Sequence, residues 1–357
     1  MTTLHVKTKD RGYDILIERG LFKKAGILAR SLSSAEKAAV ITDDHVDSLY
    51  GNALEESLSA AGFAVKRIAF PAGEESKNLD TLGKVYSELA RFGITRSDLI
   101  ITFGGGVPGD LGGMAAATFL RGVDFIQIPT SLLAQIDSSV GGKVAVDLPE
   151  GKNLAGAFYQ PLGVFIDPDL LSTLPKRYLH DGAAEAVKYG AIADERLFHF
   201  FETLASDEVL LEKSEDIIAA CCAIKARIVE HDEFDHGERM KLNFGHTLGH
   251  SIEALGGYKT FTHGEGVGMG MLLMTAASEK QGLTVGGTEK RIEEALRRLH
   301  LPLDSGMELS DLVEEAGRDK KRRGKNITVV IVPSIGKAAL RTMPFDRLFD
   351  FMTGRAL

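Results

Sequence analysis

An α/β domain built on a mostly parallel sheet, followed by a mainly α-helical domain, is the fold class this sequence predicts. Three observations carry it. Short apolar runs of β type alternate with helical patterns through the first half of the chain, a glycine-rich turn follows one of those runs, and after residue 168 helical periodicity takes over almost without interruption.

The elements follow in order. Ala38–Thr42 (AAVIT) reads as a strand, with a helix after it over Val46–Ala61. Ala64–Phe70 reads as a second strand and Leu79–Phe92 as a helix. Asp98–Phe103 (DLIITF) and Val123–Ile128 (VDFIQI) are further strands whose nearly unbroken apolar character suits burial on both faces of a parallel sheet. The opening segments Leu4–Lys7 and Tyr13–Ile17 alternate around Arg11-Gly12 and predict an added antiparallel hairpin. Beyond Val164-Phe165-Ile166-Asp167-Pro168 the stretches Glu208–Glu230 and Lys290–Leu299 are helical, and one strand signal returns at Ile327–Val332 before a turn at Pro333–Gly336. The expected division is therefore 1–168 for the α/β domain and 169–357 for the helical one.

With 357 residues, 44% of them hydrophobic and 26% charged, the chain can bury a large core without help from disulfides or a structural metal. A net charge of -8 argues against a general nucleic-acid binder, although a local basic pocket for an anionic ligand stays open. The two cysteines, Cys221 and Cys222, are adjacent, a poor arrangement for a structural disulfide or a metal knuckle, and fit a reducing cytoplasm. No apolar run approaches the length of a membrane span, and the N-terminus lacks the pattern of a signal peptide.

Four groups of residues carry chemistry. The strand Asp98–Phe103 runs into Gly104-Gly105-Gly106-Val107-Pro108-Gly109-Asp110, a turn that can bring backbone N–H groups of a helix start against a pyrophosphate. This would make the first domain Rossmann-like and nucleotide-binding. The turn is not the usual G-x-G-x-x-G, and a tight strand-to-helix connection with no ligand would use the same residues. His246 and His250 lie at i and i+4, on one face of a helix. With a carboxylate from Ala184-Glu185-Ala186-Val187-Lys188 and His263 of Thr262-His263-Gly264-Glu265, they offer donors for a catalytic metal with an open coordination position. Glu185 and Lys188 could equally pair with each other in their apolar helix. The lone His180, His199 and His300 are expected to be surface or core residues.

The third group, Gln135 to Lys143 with Gly151-Lys152-Asn153, combines a carboxylate, hydroxyls, a flexible turn and lysines. The fourth comprises Arg121, Lys225, Arg239, Lys320 and Lys321, cations that would suit a phosphate and a carboxylate if gathered around a pocket. For Lys320-Lys321-Arg322-Arg323 a solvated loop is the simpler account.

Taken together these strings resemble the 3-dehydroquinate synthase family, within the sugar phosphate cyclases. The resemblance runs in order from about residue 4 to residue 345. It takes in Gly104–Val107 with Gly109-Asp110-Leu111, Arg121-Gly122, Gln127–Gln135, Asp137–Lys143, Gly151–Leu154, Ala184–Gly190, Leu242–Thr247, His250 and His263-Gly264-Glu265. It implies that Glu185, His246 and His263 hold one zinc or cobalt ion. NAD would sit on the turn at Gly105, Gly106 and Val107, with Asp43 or Asp44 at its adenosine end. Glu74, Lys77, Asp110, Thr130, Ser131 and Lys152 would lie near the same cofactor.

The resemblance further implies that Lys143, Asn153, Asn243 and Lys321 surround a substrate phosphate and that Lys225 and Arg239 hold a carboxylate. Asp137, Lys188 and His250 would contact the reacting hydroxyls. Arg121 would reach the site of a second copy, which implies a homodimer. The implied reaction takes 3-deoxy-D-arabino-heptulosonate 7-phosphate to 3-dehydroquinate and phosphate, toward chorismate and aromatic amino acids. Val144-Ala145-Val146-Asp147 stands where the family often has Thr-Gly-Val-Asn, Ser131 where a second Thr is usual, and Asp235 where Glu is usual. The competing readings are a sister cyclase making an inosose or a valiolone, a metal-dependent alcohol dehydrogenase of similar fold, and a catalytically silent relative.

Overall fold

The apolar runs of the first half pair into one seven-stranded sheet in the order β1-β2-β9-β6-β5-β3-β4. The structure, a computed structural model, describes residues 1–9, 11–235, 237–318 and 325–355. Its first elements are β1 (Thr2–Val6), β2 (Tyr13–Ile17), α1 (Ala25–Leu32), β3 (Lys37–Asp43), α2 (Asp44–Val46) and α3 (Asn52–Ala60). They are followed by β4 (Ala64–Phe70), α4 (Leu79–Phe92), β5 (Leu99–Gly104), α5 (Gly106–Thr118) and β6 (Asp124–Pro129), then β7 (Lys143–Leu148), β8 (Gly151–Phe158) and β9 (Gly163–Ile166). Strands β3, β4, β5, β6 and β9 pair in parallel, as does β2 with β9, while β1 and β2 form the expected antiparallel hairpin.

Two apolar clusters form around this sheet: Phe22, Leu54, Phe103 and Phe165 belong to one, Ile41, Leu82, Leu111 and Phe125 to the other. That two-sided burial is why the strands lack polar alternation.

The remaining elements are α6 (Lys176–Ala193), α7 (Glu195–Glu202), α8 (Asp207–Glu212), α9 (Ser214–His231), α10 (His246–Leu255), α11 (His263–Lys280), α12 (Thr288–Arg298), α13 (Leu309–Arg318), β10 (Asn326–Ser334), β11 (Lys337–Pro344) and α14 (Leu348–Thr353). The chain divides into two compact units, Met1–Leu174 with Ser214–Phe234, and Pro175–Lys213 with Asp235–Leu357. The helical stretch expected from Glu208 breaks at Lys213, and α9 then belongs to the sheet-bearing unit. Its apolar face, with Ile217, Ile218, Cys221 and Cys222, is buried. Periodicity reports that such a face exists but not which unit covers it.

Three local differences from the sequence expectation have physical causes. The helix expected over Val46–Ala61 is interrupted by a wide π-type turn at Asp47–Gly51. There a Cβ on Gly51 would fall 2.2 Å from both Arg67 and Asp47, which form an ion pair at 3.0 Å. Strands β7 and β8 form an antiparallel hairpin that glycines and polar residues hide from pattern reading. A Cβ on Gly113 of α5 would sit 2.3 Å from Val144 Cγ1, so this glycine lets the hairpin close on α5. β11 completes a second hairpin with β10, and its half-exposed residues carry little hydrophobic signal.

Both cysteines are free and buried. The Cys222 thiol donates to the Gln135 carbonyl at 3.2 Å, and burial pushes its pKa up to about 12. Neither cysteine should react with a disulfide-exchange reagent at pH 8 in the folded protein, and both should react once urea is added. Stoichiometric labelling without denaturant would contradict this burial. Among the described residues no helix is long and apolar enough to cross a membrane.

Candidate functional site

In the sheet-bearing unit β5 delivers the glycine turn. Gly104 has φ 146°, and a Cβ there would lie 2.6 Å from Pro108 Cγ and 3.3 Å from Asp43 Oδ2, so both conformation and space require glycine. Gly105 is the N-cap of α5 and offers no side chain to its first N–H groups, which leaves them available to an anion. Side chains at Gly105 and Gly106 would lie 3.4 Å from Ser131 Oγ and 3.6 Å from Ser138 Oγ. The room beside the helix start is thus room that missing side chains leave. Buried Thr130 is tied to the turn by its N–H, which donates to the Gly104 carbonyl at 2.9 Å.

A polar cluster in the same unit joins several expected residues. Lys77 Nζ lies 2.6 Å from Asp110 Oδ2 and donates to Asn153 Oδ1 at 2.5 Å. Glu74 is 3.9 Å from Lys77 and 3.5 Å from Lys152. Burial disfavours the Lys77 ammonium, but Asp110 and Glu74 outweigh it and hold its pKa above the usual value. Asp147 accepts from the Asn153 N–H at 2.7 Å and donates its own N–H to the Lys77 carbonyl at 2.8 Å. Asn153 holds a left-handed conformation at φ 57°. Lys225 is ion-paired with the Asp137 carboxylate and donates to the Asp137 carbonyl at 2.7 Å.

The second unit carries the metal donors. Glu185 and Lys188 sit in the middle of α6 at 0% and 1% side-chain exposure and form an ion pair. His246 Nε2 and His263 Nε2 lie 3.4 Å and 3.3 Å from Glu185 Oε1. The donor atoms of Glu185, His246 and His263 all fall within 4.8 Å of one another. Burial, with Lys188 adding to it, depresses the His246 pKa to about 3, so this ring is neutral, the form a metal ligand needs. For His263 burial pulls the same way, but hydrogen bonds to Glu185 and Glu253 outweigh it and raise the pKa well above the ordinary value. A bound cation would take the place of that proton. One buried carboxylate and two imidazoles are a donor set that fits a divalent metal with open positions.

Glycines bring these donors together. A Cβ on Gly249 of α10 would lie 3.0 Å from the Gly266 backbone of α11, and one on Gly270 would fall 2.0 Å from the Gly245 carbonyl. The start of α11 is held to α6 by its Gly264 N–H, which donates to Asp181 Oδ1 at 2.5 Å. Its first turn is also tied by Glu265, which accepts from the Thr262 N–H at 2.9 Å and pairs with Arg177 at 2.8 Å.

Of the other expected residues, Asp43 lies beside the glycine turn and His250 brings a donor atom within 4.8 Å of Glu253 and His263. Asp44 is exposed and accepts from the Ala72 N–H at 2.9 Å, whereas Asp43 is buried and caps the next helix through the Val46 N–H. Arg121 is exposed at φ 69°, and Lys143, Asn243 and His250 are exposed as well. Arg239 is buried in the second unit. Lys321, with Lys320, lies outside the described residues. Sequence reading gave no role to Asp181 and Glu253 and met Asp147 only as a departure from the family pattern. Only Glu253 left a local signal, two helical turns after His246 and therefore on its face.

Fold and donor set define a class before they define a family. The structure matches 2-epi-5-epi-valiolone synthase from Streptomyces hygroscopicus subsp. jinggangensis, solved with NAD+ and Zn2+ bound, at a TM-score of 0.87 and 26% identity over 97% of each chain. It matches 2-deoxy-scyllo-inosose synthase, complexed with carbaglucose-6-phosphate, NAD+ and Co2+, at a TM-score of 0.86 and 24% identity over 99% of this chain and 100% of that one. By fold its neighbours are sugar phosphate cyclases. Residues 67–181 match the model for the N-terminal part of 3-dehydroquinate synthase and residues 182–322 the model for its C-terminal part. The chain is 49% identical to the 3-dehydroquinate synthase of Clostridium acetobutylicum over 99% of each sequence. It belongs to the 3-dehydroquinate synthase family.

Proposed function

We propose that this chain converts 3-deoxy-D-arabino-heptulosonate 7-phosphate to 3-dehydroquinate and phosphate, as a carbon–oxygen lyase working with NAD and one divalent metal, zinc or cobalt. The observation that carries the reading is the convergence of Glu185, His246 and His263 within 4.8 Å in a member of this family. When bound, NAD supplies a transient hydride acceptor and the metal a Lewis acid for neighbouring sugar hydroxyls. The chain's own residues do the rest. Glu185, His246 and His263 hold the metal, and the start of α5 at Gly105, Gly106 and Val107 receives the pyrophosphate of NAD. Asp44 would meet its adenosine end, and Glu74, Lys77, Asp110, Thr130, Ser131 and Lys152 would line it.

Lys143, Asn153, Asn243 and Lys321 would bind the leaving phosphate, and Lys225 and Arg239 the substrate carboxylate, through charge-assisted hydrogen bonds. Asp137, Lys188 and His250 would hold or move protons at the reacting hydroxyls. Arg121, presented to solvent on a strained turn, would serve a second copy in a homodimer. The proposed setting is the cytoplasm, in the pathway toward aromatic amino acids.

The hydride is returned within one turnover, so phosphate should appear without accumulation of NADH. His246→Ala removes a metal donor and should lower phosphate release by about 10³-fold, in line with a loss of several kcal/mol of Lewis-acid stabilisation. Phosphate and absorbance at the NADH band, followed together, test this. Release from glucose 6-phosphate or sedoheptulose 7-phosphate instead would assign an inosose or valiolone synthase. Steady NADH production would assign a dehydrogenase.

A further inference from the structure

The geometry points to Glu253 as a positioning residue for the metal centre, one that orients His263 through the ring nitrogen facing away from the donor cluster. This rests on reading Glu185, His246 and His263 as the metal ligands. The carboxylate of Glu253 is 5% exposed, and a carboxylate so buried is costly unless something holds it. Its Oε2 lies 3.2 Å from His263 Nδ1, while His263 Nε2 lies 3.3 Å from Glu185 Oε1. An acceptor at Nδ1 keeps the proton on that nitrogen and leaves the Nε2 lone pair directed at the cluster, the form in which an imidazole can ligate.

His246 is held by the same logic. Its Nδ1 lies 3.1 Å from the Phe244 carbonyl and its Nε2 3.4 Å from Glu185 Oε1. The two imidazoles are thus turned alike but by unlike acceptors, one a neutral carbonyl and the other a buried carboxylate. The carboxylate makes its imidazole the more basic donor and adds a negative charge next to a site meant for a dication.

Helix geometry explains how one helix supplies both a ligand and a support. His246, His250 and Glu253 lie on one stripe of α10, and that stripe faces His263 at the first position of α11. The close approach of the two helices at Gly249 and Gly266 lets a side chain as short as glutamate bridge them.

A different use of the same carboxylate has to be weighed. His250, Glu253 and His263 also bring three donor atoms within 4.8 Å, which would suit a second ion. That use requires His263 Nδ1 to be a bare lone pair, whereas the orienting role requires it to carry a proton. His250 is exposed while Glu253 is buried, and the ring already turns its other nitrogen to Glu185, so the orienting role is the one the geometry favours.

The test is metal affinity of protein stripped with a chelator, measured by competing Zn2+ or Co2+ against a chromophoric chelator. The wild-type chain should take up one equivalent. Glu253→Ala should bind it about 10- to 100-fold more weakly. Glu253→Gln keeps an acceptor oxygen without the charge and should fall between the two, which also serves if the alanine variant does not fold. The visible spectrum of the Co2+ form should shift in Glu253→Ala at saturating metal, since the His263 ring is no longer fixed, an effect a purely structural role would not produce. Affinities within twofold of wild type in both variants would overturn the inference. So would a second equivalent in the wild type that vanishes in Glu253→Ala, because Glu253 would then be a ligand. No metal uptake by the wild-type chain would instead overturn the reading of the ligands.

Discussion

Glu185→Ala is expected to destabilise the metal-free protein by about 3–5 kcal/mol and to abolish metal binding. The two effects have separate causes. Glu185 and Lys188 are one turn apart in α6, at 0% and 1% side-chain exposure, beside buried Ala183, Ala184, Ala186 and Val187. Removing the carboxylate leaves the Lys188 ammonium buried without this counter-charge, and that penalty exceeds what a surface pair could ever contribute. Against a typical margin of about 5–15 kcal/mol it is a large fraction. If the buried charge is the cause, the double replacement Glu185→Leu with Lys188→Met should recover most of the stability, since apolar residues of similar volume need no counter-charge. It should recover neither metal nor phosphate release. Urea unfolding in the presence of a chelator measures the first, and chelator competition the second. A double variant no more stable than Glu185→Ala would show that the ion pair is not what the single substitution breaks.

The same pair shows how far the sequence could be read. A carboxylate and an ammonium one turn apart in an apolar helix are legible as needing partners, and the structure answers twice: they pair with each other, and the carboxylate also faces His246 and His263. The i,i+4 spacing of His246 and His250 is local geometry, but spacing alone could not choose between them. The ring of His246 faces Glu185 whereas His250 is exposed, and only packing decides that. The strands of the parallel sheet were legible because burial on both faces leaves an unbroken apolar run, as in Leu99–Gly104. The β7–β8 hairpin was not, because its order comes from Asp147, Asn153 and the space at Gly113 rather than from any period. Asp147 stood out as a departure from the family pattern. Its carboxylate accepts from the Asn153 backbone while its own N–H reaches the Lys77 carbonyl, so the departure is absorbed as a tie within the hairpin. The polar cluster around Lys77 was visible only through resemblance, since Glu74, Asp110 and Asn153 are far apart in sequence.

Gly270→Ala should weaken metal binding more than tenfold and cost about 1–3 kcal/mol of stability, although the residue touches no metal donor. On helical propensity alone the change would be favourable, because alanine in a helix interior is about 0.5–1 kcal/mol better than glycine. Packing reverses the sign. A Cβ at Gly270 would lie 2.0 Å from the Gly245 carbonyl oxygen and 2.9 Å from the Gly249 backbone nitrogen, atoms that cannot rotate away as a flexible side chain would. Gly245 is itself fixed at φ 81° as the N-cap of α10, immediately before His246. The added methyl group must therefore push α10 from α11, and with it His246 from His263, whose Nε2 atoms lie only 3.4 Å and 3.3 Å from the same Glu185 oxygen. A displacement on the order of an ångström is enough to spoil a ligand set that tolerates about 0.2 Å. Gly83→Ala provides the contrast within the same chain, since it too lies inside a helix, α4, but a Cβ there meets nothing within 4 Å. Gly83→Ala should raise the unfolding midpoint with metal affinity unchanged, and Gly270→Ala should lower both. Equal and favourable effects of the two substitutions would mean that the α10–α11 approach is not what holds the donors in register.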